Sequence, residues 1–169
     1  PLHQALSRIR SILPALAGVV VLRAFLVTGV STYLPTFLTE EGANLWFAGA
    51  SLSLMEGAGV AGALLGGSIS DRTGRRPVLT ISLLVAPLCL FLLLGTQGLA
   101  QIPVLLLLGF FMLSTAPVIM AIVQERVSEN RALANGIYMG VSFVSMSIAA
   151  LTVGALADRF GMRTAFAIS

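Results

Sequence analysis

Lysine is absent from the 169 residues: all ten basic side chains are arginine. Cysteine and histidine occur once each, as Cys89 and His3. That leaves no disulfide framework and no constellation that would hold a metal ion. A nucleophile–base spacing, a dinucleotide fingerprint and a phosphate-cradling glycine loop are missing too, so neither an enzyme nor a cofactor is expected. Charge is also scarce, at 10% of residues with a net +3, and it is confined largely to short breaks in the chain. A balance that small and scattered does not suit nucleic acid. What fills the chain instead is apolar surface, 57% hydrophobic residues with a mean hydropathy of +0.97. A soluble domain of this length has no interior large enough to hide that surface, so lipid is the expected solvent.

A helix needs about 20 apolar residues to cross the hydrocarbon layer. Five such stretches stand out: Ile12–Leu38, Leu45–Ile69, Val78–Thr96, Ile102–Val123 and Ala132–Ala157, with a sixth beginning at Thr164. They lack strict alternation and are too long for barrel strands. Within lipid, continuous helices satisfy every backbone donor and acceptor, so the expected class is all-α and transmembrane. The polar, basic stretch Pro1–Ser11 is read as an amphipathic lead-in on the cytoplasmic side, and no cleavable signal peptide is expected in it. With that end inside, Arg8, Arg10, Arg72, Arg75, Arg76, Arg126 and Arg131 fall on the cytoplasmic side. Only Arg159 and Arg163 fall outside. The bias follows the positive-inside rule and points to a multi-pass protein of the inner (cell) membrane. Trp46, beside the expected helix cap Asn44, then lies at the outer interface.

Residues 67–76 read Gly-Ser-Ile-Ser-Asp-Arg-Thr-Gly-Arg-Arg, a charged break between two apolar runs. This G-x-x-x-D-R-x-G-R-R pattern resembles the cytoplasmic loop motif of the major facilitator superfamily of secondary transporters, with Gly67, Asp71, Arg72, Gly74, Arg75 and Arg76 on its key positions. The resemblance implies a conformational latch, with Asp71 facing a helix of another six-helix unit. The basic lead-in and the segment Gly154–Phe166 resemble the second half of that twelve-helix fold. The implied fold is therefore half of a transporter, a C-terminal transmembrane half-domain over residues 12–169 that needs an N-terminal half as partner. Stretches Glu56–Arg76 and Gln124–Phe143, the latter with Asn-Arg-Ala-Leu-Ala-Asn-Gly, resemble fosmidomycin-resistance-type drug exporters. That narrower likeness implies proton-coupled efflux of small molecules. Uptake by symport, or a scaffold or sensor built on a transporter half, remain the alternatives.

Two charges lie inside spans. Arg23 and Glu56 each sit ten or eleven residues from a span end, roughly 15 Å deep. Charges at that depth face a cavity or find a partner. Three readings stay open: an Arg23–Glu56 ion pair, Glu56 as the proton-coupling group, or Arg23 as an anion or substrate contact. Tyr33 and Tyr138 are the expected aromatic liners of the same cavity, and Phe110, Phe111, Met112 and Met120 offer a soft wall. The second span carries Ala58, Gly62, Gly66 and Ser70 at spacing four beside Gly59, Ala63 and Gly67. The fifth carries Gly136 and Gly140, and both series are expected to pack helix against helix. Pro35, Pro87 and Pro117 are expected to kink their helices. The Leu-rich third span is expected to face lipid. Glu125, Arg126, Glu129 and Arg131 are expected to form an ion-pair cluster at the inner end of the fourth.

Overall fold

The computed structural model describes residues 2–126 and 131–168, with side chains described from Ala17 onward. The side chains of the lead-in, including Arg8 and Arg10, and residue Glu129 lie outside the described residues. Every element described is helical: α1 Leu2–Glu40, α2 Leu45–Thr73, α3 Arg75–Gly95, α4 Gln101–Arg126, α5 Arg131–Phe160 and the short α6 Met162–Ile168. Among the described residues, five helices are long and apolar enough to cross a membrane.

The helices outrun the apolar stretches that predict them. α2 does not stop at Ile69 but continues through Ser70, Asp71 and Arg72 to Thr73, and α3 starts at Arg75. The ten-residue break in hydropathy thus contains one non-helical residue, Gly74, at φ +99° and ψ 151°. That backbone conformation is essentially reserved for glycine. The polar segment stays helical because no proline or glycine interrupts it before Gly74, and because its polar side chains need only project beyond the hydrocarbon. At the opposite end, α5 runs through Asp158 and Arg159, and Gly161 makes the whole turn into α6. Asn44 caps α2 by accepting from the Phe47 amide at 2.7 Å, which orients a Trp46 that is 82% exposed.

Packing is densest where glycine removes the side chain. α2 lies along α4, and a Cβ at Gly62 would overlap the carbonyl of Phe110, while one at Gly109 would overlap that of Met55. Gly59 meets the Leu113 side chain and Gly66 meets Ser114. The expected ridge on the second span is therefore in place on Gly59, Gly62 and Gly66, but Gly67 faces open space. Successive helical residues turn by about 100°, so neighbours Gly66 and Gly67 cannot share one face. Gly136 and Gly140 of α5 also face open space, so that ridge packs against nothing among the described residues. Ser82 of α3 shares a hydrogen bond of 2.9 Å with Ser114, closing the junction of α2, α3 and α4.

The buried apolar residues form two clusters. The larger one gathers Leu34, Phe37, Met55, Leu93, Leu105, Met112 and Phe166. The smaller one gathers Val20, Ile119, Val123, Ala134 and Tyr138. α3 turns Ile81, Leu84, Leu88, Phe91 and Leu92 outward, an unbroken apolar face suited to lipid. Pro87 and Pro117 lie inside helices that stay continuous through them.

Candidate functional site

The boundary between the two clusters is where polar groups enter the helix bundle. Val20 of α1 and Ile119 of α4 belong to the smaller cluster, Leu26 and Met112 to the larger. Between them lie Arg23 and Thr115. Arg23 Nε donates to Thr115 Oγ1 at 2.6 Å, and the Thr115 hydroxyl donates to the carbonyl of Met112 at 2.6 Å. The hydroxyl proton is committed to its own helix, so the oxygen lone pairs are left to the guanidinium. Arg23 is only 8% exposed. A guanidinium stays ionised in such a place, and a charge at that depth costs about 2.5 kcal/mol or more unless something compensates it.

Glu56 does not provide the compensation. Its Oε1 accepts from Ser31 Oγ at 2.7 Å, and the side chain is half-buried. Ser31 lies eight residues beyond Arg23 on α1, about 12 Å further along the axis. The two mid-span charges therefore stand about two turns apart, each hydrogen-bonded to a hydroxyl of a facing helix, and the ion pair, one of the three readings, is not formed. Span ends alone suggest a depth difference of about one turn. The Ser31–Glu56 contact between α1 and α2 fixes a larger one.

The two tyrosines part company. Tyr33 donates its hydroxyl to the Ala150 carbonyl at 3.0 Å and lies against Gly154, where a Cβ would come within 2.6 Å of the phenol oxygen. It joins α1 to α5. Tyr138 is buried in the smaller cluster and lies within electrostatic range of Arg23. Of the residues expected to form a soft wall, Met112 is fully buried in the core, and Phe110 and Phe111 meet edge to face at 5.3 Å.

At the turn between α2 and α3, Arg75 is the centre of a clamp. It pairs with Asp71 four residues back, donates through Nε to Glu125 Oε1 at 3.0 Å, and donates through Nη1 to Ser70 Oγ at 2.8 Å. The start of α3 is thereby tied to the end of α2 and the end of α4. Asp71, expected to face another unit, has its described partner within this chain and is still 62% exposed. Arg72 and Arg76 are exposed. At the opposite end of the bundle, Arg163 of α6 donates to Glu41 Oε1 at 3.0 Å and to the Leu94 carbonyl at 2.7 Å, beside stacked Phe37 and Phe166.

Sequence reasoning missed Ser31 and Thr115 as partners of the buried charges. Hydroxyls in apolar helices commonly bond back to their own backbone, as Ser145 does to Val141 and Thr152 to Ile148. Only the facing helix distinguishes the two cases. Glu125 was assigned to the inner end of the fourth span, and its distinguishing feature, the reach to Arg75, is a contact across 50 positions of sequence. No group of three or more potential metal ligands occurs among the described residues.

A family model described as "Major Facilitator Superfamily" matches residues 16–169. The chain is also 36% identical, over 105 residues, to a Bacillus subtilis (strain 168) protein called "Uncharacterized MFS-type transporter YfnC". The matched stretch is 62% of this chain but 25% of that relative, so the chain spans about a quarter of the relative's length.

Proposed function

Because the chain belongs to the major facilitator superfamily, we propose that it is the C-terminal six-helix half of a proton-coupled secondary transporter that exports small molecules by alternating access. In such a transporter two halves rock about a site near the bilayer midplane. The observation that carries this reading is that, among the described residues, Arg23 and Glu56 lie in mid-span with hydroxyl partners only. A membrane scaffold has no use for mid-span charges that do not neutralise each other. A transporter does, because a proton or substrate must meet polar groups at that depth.

In this reading Glu56 is the proton-coupling residue. Its carboxylate is half-buried, hydrogen-bonded only to Ser31 among the described residues, and free to exchange a proton with a cavity between the halves. Arg23 and Tyr138 sit lower along α1 and α5 and contribute to the same cavity, while Tyr33 holds its wall together. Gly67, Asp71, Arg72, Gly74, Arg75 and Arg76 form the latch. Arg75 keeps the end of α2 rigid through Asp71 and Glu125, which leaves exposed Arg72 and Arg76 for the N-terminal half or for lipid phosphates. The first residue of the chain is on the cytoplasmic side of the inner membrane. The stretches that resemble fosmidomycin-resistance-type exporters support efflux over uptake.

The test uses the full-length protein in inverted vesicles with a pH-sensitive dye, comparing wild type with Glu56→Gln while candidate drugs, fosmidomycin included, are added. Drug-dependent proton release that disappears in the variant is the expected result. Unchanged release in the variant removes the coupling role from Glu56. Absence of any response in the wild type removes the exporter reading.

A further inference from the structure

Arg23 is a fixed positive charge without a counter-charge among the described residues. Among the described residues no carboxylate pairs with it, and the other mid-span ion, Glu56, is held by Ser31 two turns away. Thr115 satisfies Nε and leaves the two terminal Nη groups with no partner among the described residues. A hydroxyl oxygen orients a guanidinium but does not neutralise it.

Among the described residues, the surroundings add donors and no acids. α1 and α5 run side by side in the same direction, since Val20 meets Tyr138 near one end and Tyr33 meets Ala150 further along. One turn beyond Val20 is Arg23, and one turn beyond Tyr138 is Ser142, so the two lie at one level of the bundle. The Ser142 Oγ is buried and has no hydrogen-bond partner. A buried hydroxyl left unpaired calls for an explanation. Here it lies level with an uncompensated cation and one turn from the Tyr138 phenol.

We infer that Arg23, oriented by Thr115 and flanked by Tyr138 and Ser142, is the subsite for an anionic group, a carboxylate or phosphonate, on the transported molecule. The inference rests on the transporter reading above and names the charge of its substrate. The planar fork of the two Nη groups matches two oxygens of such a group, and the hydroxyl and the phenol supply further donors. Glu56, two turns away, stays out of reach of the bound anion and free for a proton.

The test measures ligand-induced thermal stabilisation of the purified full-length protein. The probes are benzoate and phenylphosphonate, with phenyltrimethylammonium and benzyl alcohol as cationic and neutral compounds of similar size. Wild type is expected to be stabilised by the two anions and by neither of the others. Arg23→Gln should lose the response. Arg23→Lys should keep it with at least about tenfold weaker apparent affinity, because an ammonium lacks the fork. Ser142→Ala removes an unpartnered hydroxyl, so it should fold as wild type and weaken the anion response several-fold. An anion response unchanged in both Arg23→Gln and Ser142→Ala overturns the subsite. So does preference for the cation or the alcohol. So does no response to either anion, which would mean that Arg23 is neutralised by a carboxylate elsewhere in the protein. Drug-dependent proton release that persists alongside any of these results leaves transport standing and removes the anion subsite alone. Anion binding without any such release removes the transport reading instead.

Discussion

Arg23 and Thr115 are 92 positions apart in sequence and 2.6 Å apart in space, joined where the two apolar clusters of the bundle meet. The bond makes α1 and α4 into one unit at the depth where the chain carries its buried cation. It also leaves Glu56 unpaired with Arg23. The two mid-span charges can therefore serve different tasks, which an ion pair would have prevented.

Replacing Thr115 with valine keeps the shape and removes the oxygen that accepts from Arg23. The cost of leaving that donor unsatisfied is expected to be about 1–3 kcal/mol. Thermal unfolding in detergent measures it, and Thr115→Ser, which restores an acceptor, should recover most of the loss.

The α2–α4 contact makes a contrast between two glycines of α2. Gly62→Ala places a methyl group against the Phe110 carbonyl, which is backbone and cannot swing aside. Overpacking of this kind costs about 1–3 kcal/mol. Gly67→Ala points into open space and should leave the unfolding midpoint unchanged or slightly raised. Equal effects of the two substitutions would contradict the helix register.

Gly74→Ala strains the single-residue turn between α2 and α3. At φ +99° and ψ 151° the added Cβ is expected to cost about 1–3 kcal/mol. Proteolysis should become faster in this variant, with cleavage near the turn.

The Arg75–Glu125 pair is solvent-exposed on its acid side, with Glu125 58% accessible. A double-mutant cycle over Arg75→Gln and Glu125→Gln should return a coupling of at most about 1 kcal/mol, falling as salt is raised. A larger, salt-insensitive coupling would show that another part of the protein covers the clamp.

Hydropathy carried the helices, since a 20-residue apolar run in lipid has few other ways to satisfy its backbone. It misjudged their ends, because a helix need not stop where its side chains become polar, and α2 continues through Asp71 and Arg72 to Gly74. Small-residue spacing named the packed face of α2 but could not separate Gly66 from Gly67. On α5 it named Gly136 and Gly140, which meet nothing among the described residues. Mid-span position singled out Arg23 and Glu56. Their partners were hidden because Ser31 and Thr115 look like any other hydroxyl in an apolar helix.

The solvent of this chain, its helical class and its scarce buried charges are properties of composition and period, readable one residue at a time. Which charge meets which hydroxyl depends on the rotation and height of one helix against the next. For α2 against α4, close backbone contacts at Gly62 and Gly109 set that rotation and height. A shift of one residue turns a helix face by about 100°. Contacts between residues 92 or 50 positions apart were therefore decided by the packed bundle and by nothing local to either residue.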